Sequence, residues 1–564
     1  MESRVEVGNA GREAGLSEDP TGEELYQLFL RKHAELTYER QGYCPDEEKF
    51  KKFLVSDFRI FLERLGITRK DLDPLSCIHV AGTKGKGSTC SMTERILRTY
   101  GYKTGIISSP PLLEVRERVR INGVPVSRAL FGRYGVECLE LLEKNKTKFG
   151  QTISSGIGPF PIFTLVAYYI LVKEKVDVAV VEVGLGGEYD STNVLWSPTV
   201  TGVSSLAMEH VSLLGDTLAK IAWHKSGIFK NGRPAFTVPQ RDEAMNVLVQ
   251  RAEERNAPLR VCPPLGDYEC NGVSVKLGLA GKHQRSNAAL AVQLTKTWLD
   301  EKAPGRIQFQ AIGPHNGDIS GNSSIGDKLG DGKVQRATPF FLPDEFLRGF
   351  ELSKWPGRNQ TIRKTGVTYY IDNAHTEDSV AFCKNWFEEE ASNEAKMIPG
   401  VIKKVLIFNL GGDRDGYTIL RPLVEYGFDA VVFSVMRTVV TQENEVRDYK
   451  SMPSLDDQLM KCHQHLATFK KLHGDICNSF QDQQCHRDVM QAPIFKVTPS
   501  ATEAIQWVLG SRMCLDDRES MDMPDGGGFL HEADHLQVLV TGSNFLAGSV
   551  IHVIEPNMFD KVEY

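Results

Sequence analysis

Apolar positions along this chain fall into two alternating patterns. Short, almost continuous apolar runs read as strands buried on both faces. Longer stretches with apolar side chains at helical spacing read as the helices between them. In the first part of the chain the strand-like runs are 78–81, 104–107, 176–184 and 199–205. In the second part they are 367–371, 404–409, 429–434 and 536–541. One helical face gathers Phe50, Phe53, Leu54, Phe58, Phe61, Leu62 and Leu65 and ends at Gly66. Another carries Met92, Ile96 and Leu97, and residues 283–294 open a further helix with polar side chains in its first turn. Strands alternating with helices predict an α/β fold, with parallel-rich sheets joined by right-handed crossovers.

The pattern breaks in places, and the breaks suggest the domains. Residues 1–20 are polar and contain glycine, and are expected to be disordered. Residues 312–336 are rich in Gly, Ser, Asn and Asp and are expected to be a flexible insertion or linker. That leaves a first domain at 21–311 and a second at 337–564, the latter with insertions at about 440–495 and 511–533. A chain of 564 residues is indeed too long for one core.

Composition narrows the class. Hydrophobic residues make 41% and charged residues 25%, as in an ordinary globular protein. A net charge of -7 argues against nonspecific nucleic-acid binding. No apolar run is long enough to span a bilayer. Eleven cysteines without paired spacing suit a reducing compartment. The N-terminal stretch has no apolar signal core and carries many acids. The expectation is a cytoplasmic protein, with a mitochondrial pool arising through an alternative start. Cys462, His463, His465, His473, Cys477, Cys485 and His486 cluster in the second part, but in no recognised zinc spacing.

The chemistry concentrates after the first strand, in I-H-V-A-G-T-K-G-K-G-S-T (78–89). Strand, glycine turn and helix are the context of a phosphate-binding loop. Glycines at 82, 85 and 87 let successive N–H groups turn toward one point, and the helix N-terminus adds its positive end. Lys86 can reach outer phosphates, with the hydroxyls of Ser88 and Thr89 beside it. The spacing G-x-x-G-K-G-S is shorter than the common G-x-x-x-x-G-K-[ST]. The first domain is therefore expected to resemble a P-loop ATPase and the second a Rossmann-like fold.

Other polar residues stand at strand ends, where open parallel sheets collect ligands. Glu182 closes an apolar run, where a carboxylate is costly unless paired or cation-bound. Glu209 and His210 follow the next strand, and Lys225 and Lys230 flank a glycine further on. Residues 114–127 alternate Arg116, Arg118 and Arg120 with apolar residues. They read either as a solvated edge strand or hairpin, or as a mobile arginine-bearing loop over an anionic substrate. In the second part, D-N-A-H (372–375), Asn409 with G-G-D-R-D (411–415), and T-G-S (541–543) stand where ligand-facing loops belong.

Together these residues resemble the folylpolyglutamate synthase family, of the eukaryotic type, within the ATP-dependent amide ligases that include the bacterial Mur ligases. H-V-A-G-T-K-G-K-G-S-T, S-S-P followed by V-R-E-R-V-R-I-N-G, V-V-E-V-G-L-G-G-E-Y-D-S-T-N, I-A-W-H-K-S-G-I-F-K, H-Q-R-S-N-A-A-L, W-P-G-R, D-N-A-H-T and G-D-R-D occur in the family's order. The resemblance spans about 21–554, excluding the insertions. It implies ATP-dependent addition of L-glutamate to the γ-carboxyl of folates through an acyl phosphate. It implies ATP and Mg2+ as cofactors, allows a monovalent cation such as K+, and suggests a monomer with no nucleic-acid partner.

Residue by residue, the resemblance implies that Gly82, Thr83, Gly85, Lys86, Gly87, Ser88 and Asn287 bind ATP. Arg358 and Asp372 would join them from the second domain. Ser109, Glu182 and His210 would serve magnesium. Lys225 matches a lysine that is carbamylated in some members. Lys86, Lys225 and His375 would be catalytic, with Arg116, Arg118, His375 and Ser543 toward the folate and glutamate. Such a site would lie in a cleft between domains. The chain departs from the family pattern at Pro111, Pro161, Ile162, Asn373 and, more mildly, Glu209. Dihydrofolate synthase is the neighbouring alternative, and a folate- or nucleotide-binding pseudoenzyme is the alternative from another class.

Overall fold

The computed structural model describes residues 21–38, 55–145, 159–270, 272–312, 328–329, 334–412, 414–439, 453–479, 492–510 and 532–558. The expectations for 1–20, for Phe50, Phe53 and Leu54, and for most of 511–533 lie outside these. By their internal contacts the residues form two units. One comprises 1–278, 282–354 and 562–564, and the other 279–281 and 355–561.

The first unit is built on one sheet. Its strands are β1 (Ile78–Ala81), β2 (Thr104–Ile107), β3 (Val119–Ile121), β4 (Val124–Pro125), β5 (Val178–Glu182), β6 (Val200–Val203), β7 (Ala235–Thr237), β8 (Leu259–Val261), β9 (Lys328–Leu329) and β10 (Val334–Arg336). Their order is β4-β3-β2-β5-β1-β6-β7-β8-β10-β9. β1 lies inside the sheet, parallel to β5 and β6, and every residue of these three strands is buried. Burial on both faces is what their continuous apolar sequences require. The register sets Val80 beside Glu182, so Glu182 closes β5 next to the start of the glycine loop.

The boundary between the units falls after Lys354, not within 312–336. Parts of that expected linker, β9 and β10, extend the first sheet. The helix Asp344–Glu351 belongs to the first unit as well. Its Phe346 is fully buried and meets the Tyr100 ring edge-on, with centroids 6.1 Å apart. Polar composition around 312–336 hid that continuation.

The second unit holds β11 (Gln360–Lys364), β12 (Val367–Ile371), β13 (Ile402–Phe408), β14 (Ala430–Ser434), β15 (Ile494–Thr498) and β16 (His535–Thr541), in the order β11-β12-β16-β13-β14-β15. Only the edge strand β11 runs antiparallel. Within the expected insertion at 440–495, the middle and the end are built into the second unit. Residues Leu455–Ser479 form a helix whose Cys462, Phe469 and Leu472 are buried in the core, and β15 pairs with β14. The many polar residues of that helix belong to its solvent face, which masked its apolar stripe. Among the described residues no group of three or more His, Cys, Asp or Glu side chains could hold a metal ion.

Candidate active site

In the first unit the phosphate-type loop leaves β1 and enters the helix Lys86–Thr99 at Gly85. Gly85 has φ 87°, which side chains rarely tolerate, and a Cβ there would stand 2.1 Å from Asn287 Oδ1. This close approach explains the glycine and brings Asn287 to the loop. The Asn287 amide is itself fixed, donating to Gln284 Oε1 at 2.9 Å. Gly82, at φ 146°, packs equally tightly on the Ser204 hydroxyl.

The loop is stitched to the end of β6. Thr83 N and Lys84 N both donate to Ser205 O, at 2.9 and 3.1 Å. Thr83 Oγ1 donates to Ala207 O at 3.1 Å, and Ser204 Oγ to Lys84 O at 2.7 Å. Lys86, Gly87 and Ser88 occupy the first helical turn, where backbone N–H groups have no intrahelical acceptor and point outward from the helix end. By geometry and by dipole, that turn can receive an anion. Lys86 Nζ lies 3.5 Å from Thr83 O, folded over the loop.

Around this turn stand the other charged groups of the first unit. Lys225 is buried, and its ammonium donates to Gly82 O at 2.8 Å. Burial first, then the charge of Lys86, depress its pKa from 10.5 to about 7, against the pull of Glu209 and Asp190. Glu182 is buried at the end of β5 and accepts from Ser109 N at 3.3 Å. A buried carboxylate beside an anion-binding turn suits Mg2+, which takes one or two carboxylates, waters and phosphate oxygens. The structure thus joins Ser109 to Glu182. His210 is exposed at a backbone φ of 53°, in the turn after β6 and across β1 from Glu182. A nitrogen ligand fits magnesium less well than oxygen.

The arginine segment is a hairpin, but a buried one rather than a solvated edge. Residues Val115–Arg118 make a 3-10 turn, followed by the β3–β4 hairpin. Arg116 is buried, bonded to Glu114 Oε2 at 2.7 Å and to Val126 O at 3.2 Å. Arg118 is buried with its guanidinium 5.5 Å from the Phe163 ring centre. Local carboxylates and carbonyls take up guanidinium donors of Arg116 and, through Gly123 O and Glu117, of Arg120. Pro161 causes no break, since it falls in the first turn of the helix Pro159–Lys173, where its missing N–H costs nothing. Ile162 is buried behind it, and Pro111 is buried as well.

In the second unit, the expected residues stand at the carboxyl ends of the adjacent parallel strands β12 and β16. Asp372 is buried and accepts from Asn359 N and Ala374 N, both at 2.9 Å. His375 Nδ1 lies 2.7 Å from Asn373 O. Ser543 caps the helix Asn544–Ile554, and its hydroxyl contacts Met436 Sδ at 2.9 Å. Asn373 does not use positive φ. Its side chain instead bridges Arg358 Nη1 and Asn544 Oδ1, a role that glycine could not fill.

Sequence reasoning overlooked Ser204, Ser205 and Lys84, which tie down the loop. The pair of hydroxyl residues at a strand end was the available signal.

A bovine mitochondrial folylpolyglutamate synthase is 39% identical over 522 residues, covering 89% of this chain and 87% of that protein. The chain belongs to the folylpolyglutamate synthase family. The human mitochondrial synthase is 38% identical, over 88% of this chain and 86% of its own, and an Arabidopsis thaliana synthase is 34% identical, over 89% and 83%. No family model matches the chain. Among solved structures, a Mycobacterium tuberculosis folylpolyglutamate synthase complexed with ADP and AMPPCP matches 96% of this chain and all of its own, with TM-score 0.61 at 20% identity. The E. coli FolC protein in complex with DHPP and ADP matches 95% and 99%, with TM-score 0.61 at 18% identity. Identities this low speak to the fold, and the synthase-family fold is the two-sheet α/β architecture described above.

Proposed function

We propose that this chain is an ATP-dependent ligase that adds L-glutamate to the γ-carboxyl of folates and repeats the addition to build a polyglutamate tail. The observation that carries this reading is the first-turn anion site of Lys86–Ser88 with Glu182 and Lys225 beside it, in a chain of the synthase family.

A carboxylate is a poor electrophile, so it must first be activated. Transfer of the γ-phosphoryl group from ATP to a folate carboxylate oxygen gives an acyl phosphate and ADP. The glutamate amine then attacks the carbonyl carbon, loses a proton, and the tetrahedral intermediate expels phosphate as the amide forms. The first-turn amides and Lys86 would hold the phosphates and take up charge as it moves to the leaving oxygen. Glu182, with Ser109, would hold Mg2+, which neutralises phosphate charge. Asn287 would flank the nucleotide at Gly85. In the second unit, Asp372 and Arg358 would serve the nucleotide, and His375 and Ser543 the incoming glutamate. A lysine titrating near 7 has a neutral amine available at ordinary pH, as carbamylation of Lys225 requires.

The same proposal includes a monomeric protein in the cytoplasm, a mitochondrial pool, and K+ as an additional cation. Mass analysis of tetrahydrofolate incubated with the protein, ATP, magnesium and glutamate tests the activity. A ladder of glutamyl additions is expected. Conversion of dihydropteroate alone would move the assignment to dihydrofolate synthase, and no product from either would overturn it.

A further inference from the structure

In the second unit, Ser543 stands at the N-cap of the helix Asn544–Ile554, where a serine oxygen ordinarily accepts a first-turn N–H. Here its side chain makes no such bond. The hydroxyl of this buried residue turns instead to Met436, with Oγ 2.9 Å from Sδ. Met436 follows β14 by two residues and is itself buried. Its backbone is held from two helices. Met436 N donates to Gln458 Oε1 at 3.2 Å, and Met436 O accepts from Ser549 Oγ at 3.0 Å. Its methyl end lies against Gly411, where an added Cβ would meet Cε at 3.5 Å. The thioether therefore sits where the loops after β13, β14 and β16 meet. The residue after Ser543, Asn544, accepts from Asn373 Nδ2 at 2.7 Å, which links this cluster to the loop of Asp372 and His375. The contact between serine and methionine has a single polarity. A thioether carries no hydrogen, so the hydrogen between the two atoms is the serine's. That spends the donor of Ser543 and leaves its oxygen as an acceptor.

We propose that Met436 is a positioning residue for the incoming glutamate: it takes the Ser543 hydrogen, so that the Ser543 oxygen receives an N–H of the ligand's α-amino group. The inference rests on the proposed place of Ser543 beside glutamate and deepens it by naming the group that the serine meets. Ionised glutamate carries carboxylates, which only accept hydrogen bonds, and an amino group, which donates them. A serine oxygen whose hydrogen is already engaged opposes a carboxylate and suits the amine. Holding the amine by an N–H leaves the nitrogen lone pair for the attack on the acyl carbon.

The test is steady-state turnover of the full chain, with glutamate varied at saturating MgATP and tetrahydrofolate. Ser543→Ala should raise the glutamate KM roughly tenfold, the loss of a hydrogen bond to a charged group. Met436→Leu, which keeps the volume, should raise it roughly threefold to tenfold, with kcat within about twofold of wild type. The double variant should match Ser543→Ala, because the methionine acts through the serine. Glutarate, which has both carboxylates and no amine, reads the polarity. As a competitive inhibitor against glutamate, it should bind Ser543→Ala within about twofold of wild type. Three results would each overturn the proposal: effects that multiply in the double variant, a Met436→Leu KM equal to wild type, or a glutarate inhibition constant that rises in Ser543→Ala as far as the glutamate KM. Thermal melts identify a variant that fails to fold, and Met436→Ile replaces Met436→Leu in that case. A wild type that binds MgADP without turning over glutamate would sink the ligase reading and the proposal with it. A glutamyl ladder with unchanged Met436→Leu kinetics would sink the proposal alone.

Discussion

Replacing Gly85 by alanine probes the tightest contact of the candidate site. The backbone there sits at φ 87°, and holding an L-residue in that region costs about 1–2 kcal/mol. The new Cβ would lie 2.1 Å from Asn287 Oδ1, well inside contact distance, so the Asn287 amide must move. Moving it breaks the 2.9 Å bond to Gln284, worth about 1 kcal/mol. The sum is about 2–3 kcal/mol, which for a unit of about 350 residues lowers the melting temperature by roughly 3–4 °C. MgADP affinity should fall as well, because the displaced amide flanks the nucleotide turn. Differential scanning calorimetry and nucleotide titration measure the two effects. Adding Asn287→Gly should recover the steric part of the stability loss but not the backbone part. A Gly85→Ala protein that melts within about 1 °C of wild type would refute the packing argument.

Two further predictions concern buried charge. Lys225 is depressed from 10.5 to about 7, so between those values the unfolded chain binds more protons than the folded one. Stability should therefore rise with pH across that window, with a slope of at most about 1.4 kcal/mol per pH unit. Lys225→Met should abolish turnover and flatten the slope, leaving it more stable than wild type near pH 7 by an amount that shrinks toward pH 10; parallel urea-unfolding curves from pH 7 to 10 would contradict this. In the second unit, Glu394 accepts from Tyr370 at 2.6 Å, Thr368 at 2.9 Å, Arg363 at 3.1 Å and Gln537 at 3.2 Å. Burial pushes its carboxyl up, but the hydrogen bonds from Tyr370, Thr368 and Gln537, with the nearby His535, outweigh burial and hold it below the usual value. Its stabilisation is thus present above the unfolded carboxylate pKa of about 4.3 and lost as pH falls through the lower folded value. Glu394→Gln should cost about 1–3 kcal/mol at pH 7, and melting curves should converge with wild type on acidification.

Strands buried on both faces were the most legible part of the chain. Runs such as 178–182 and 536–541 are mostly apolar and wholly buried, Gln537 and Thr541 included, so composition and burial agree. The glycine loop was legible for a related reason, since Gly82 and Gly85 stand where the backbone leaves the side-chain-tolerant region. The helix Leu455–Ser479 was obscured because its buried stripe is narrow and its histidines invite a metal reading. The arginine segment was undecided in sequence because alternation fits an exposed strand and a substrate loop alike. Only the placement of Glu114 and the Val126 carbonyl shows where the Arg116 guanidinium goes. Asn373 was judged by its backbone, whereas its amide contacts decide its role.

The double acceptance at Ser205 O has a thermodynamic consequence. Thr83 and Lys84 have already spent their N–H groups on that carbonyl before any ligand arrives. The entry to the helix is therefore a preformed mould, and occupying it requires little ordering of the chain. Nucleotide association with this unit should carry a small conformational-entropy penalty. Removing the carbonyl's hold, for example by a proline at position 84 that deletes one of the two N–H groups, should reveal the penalty as a less favourable binding entropy.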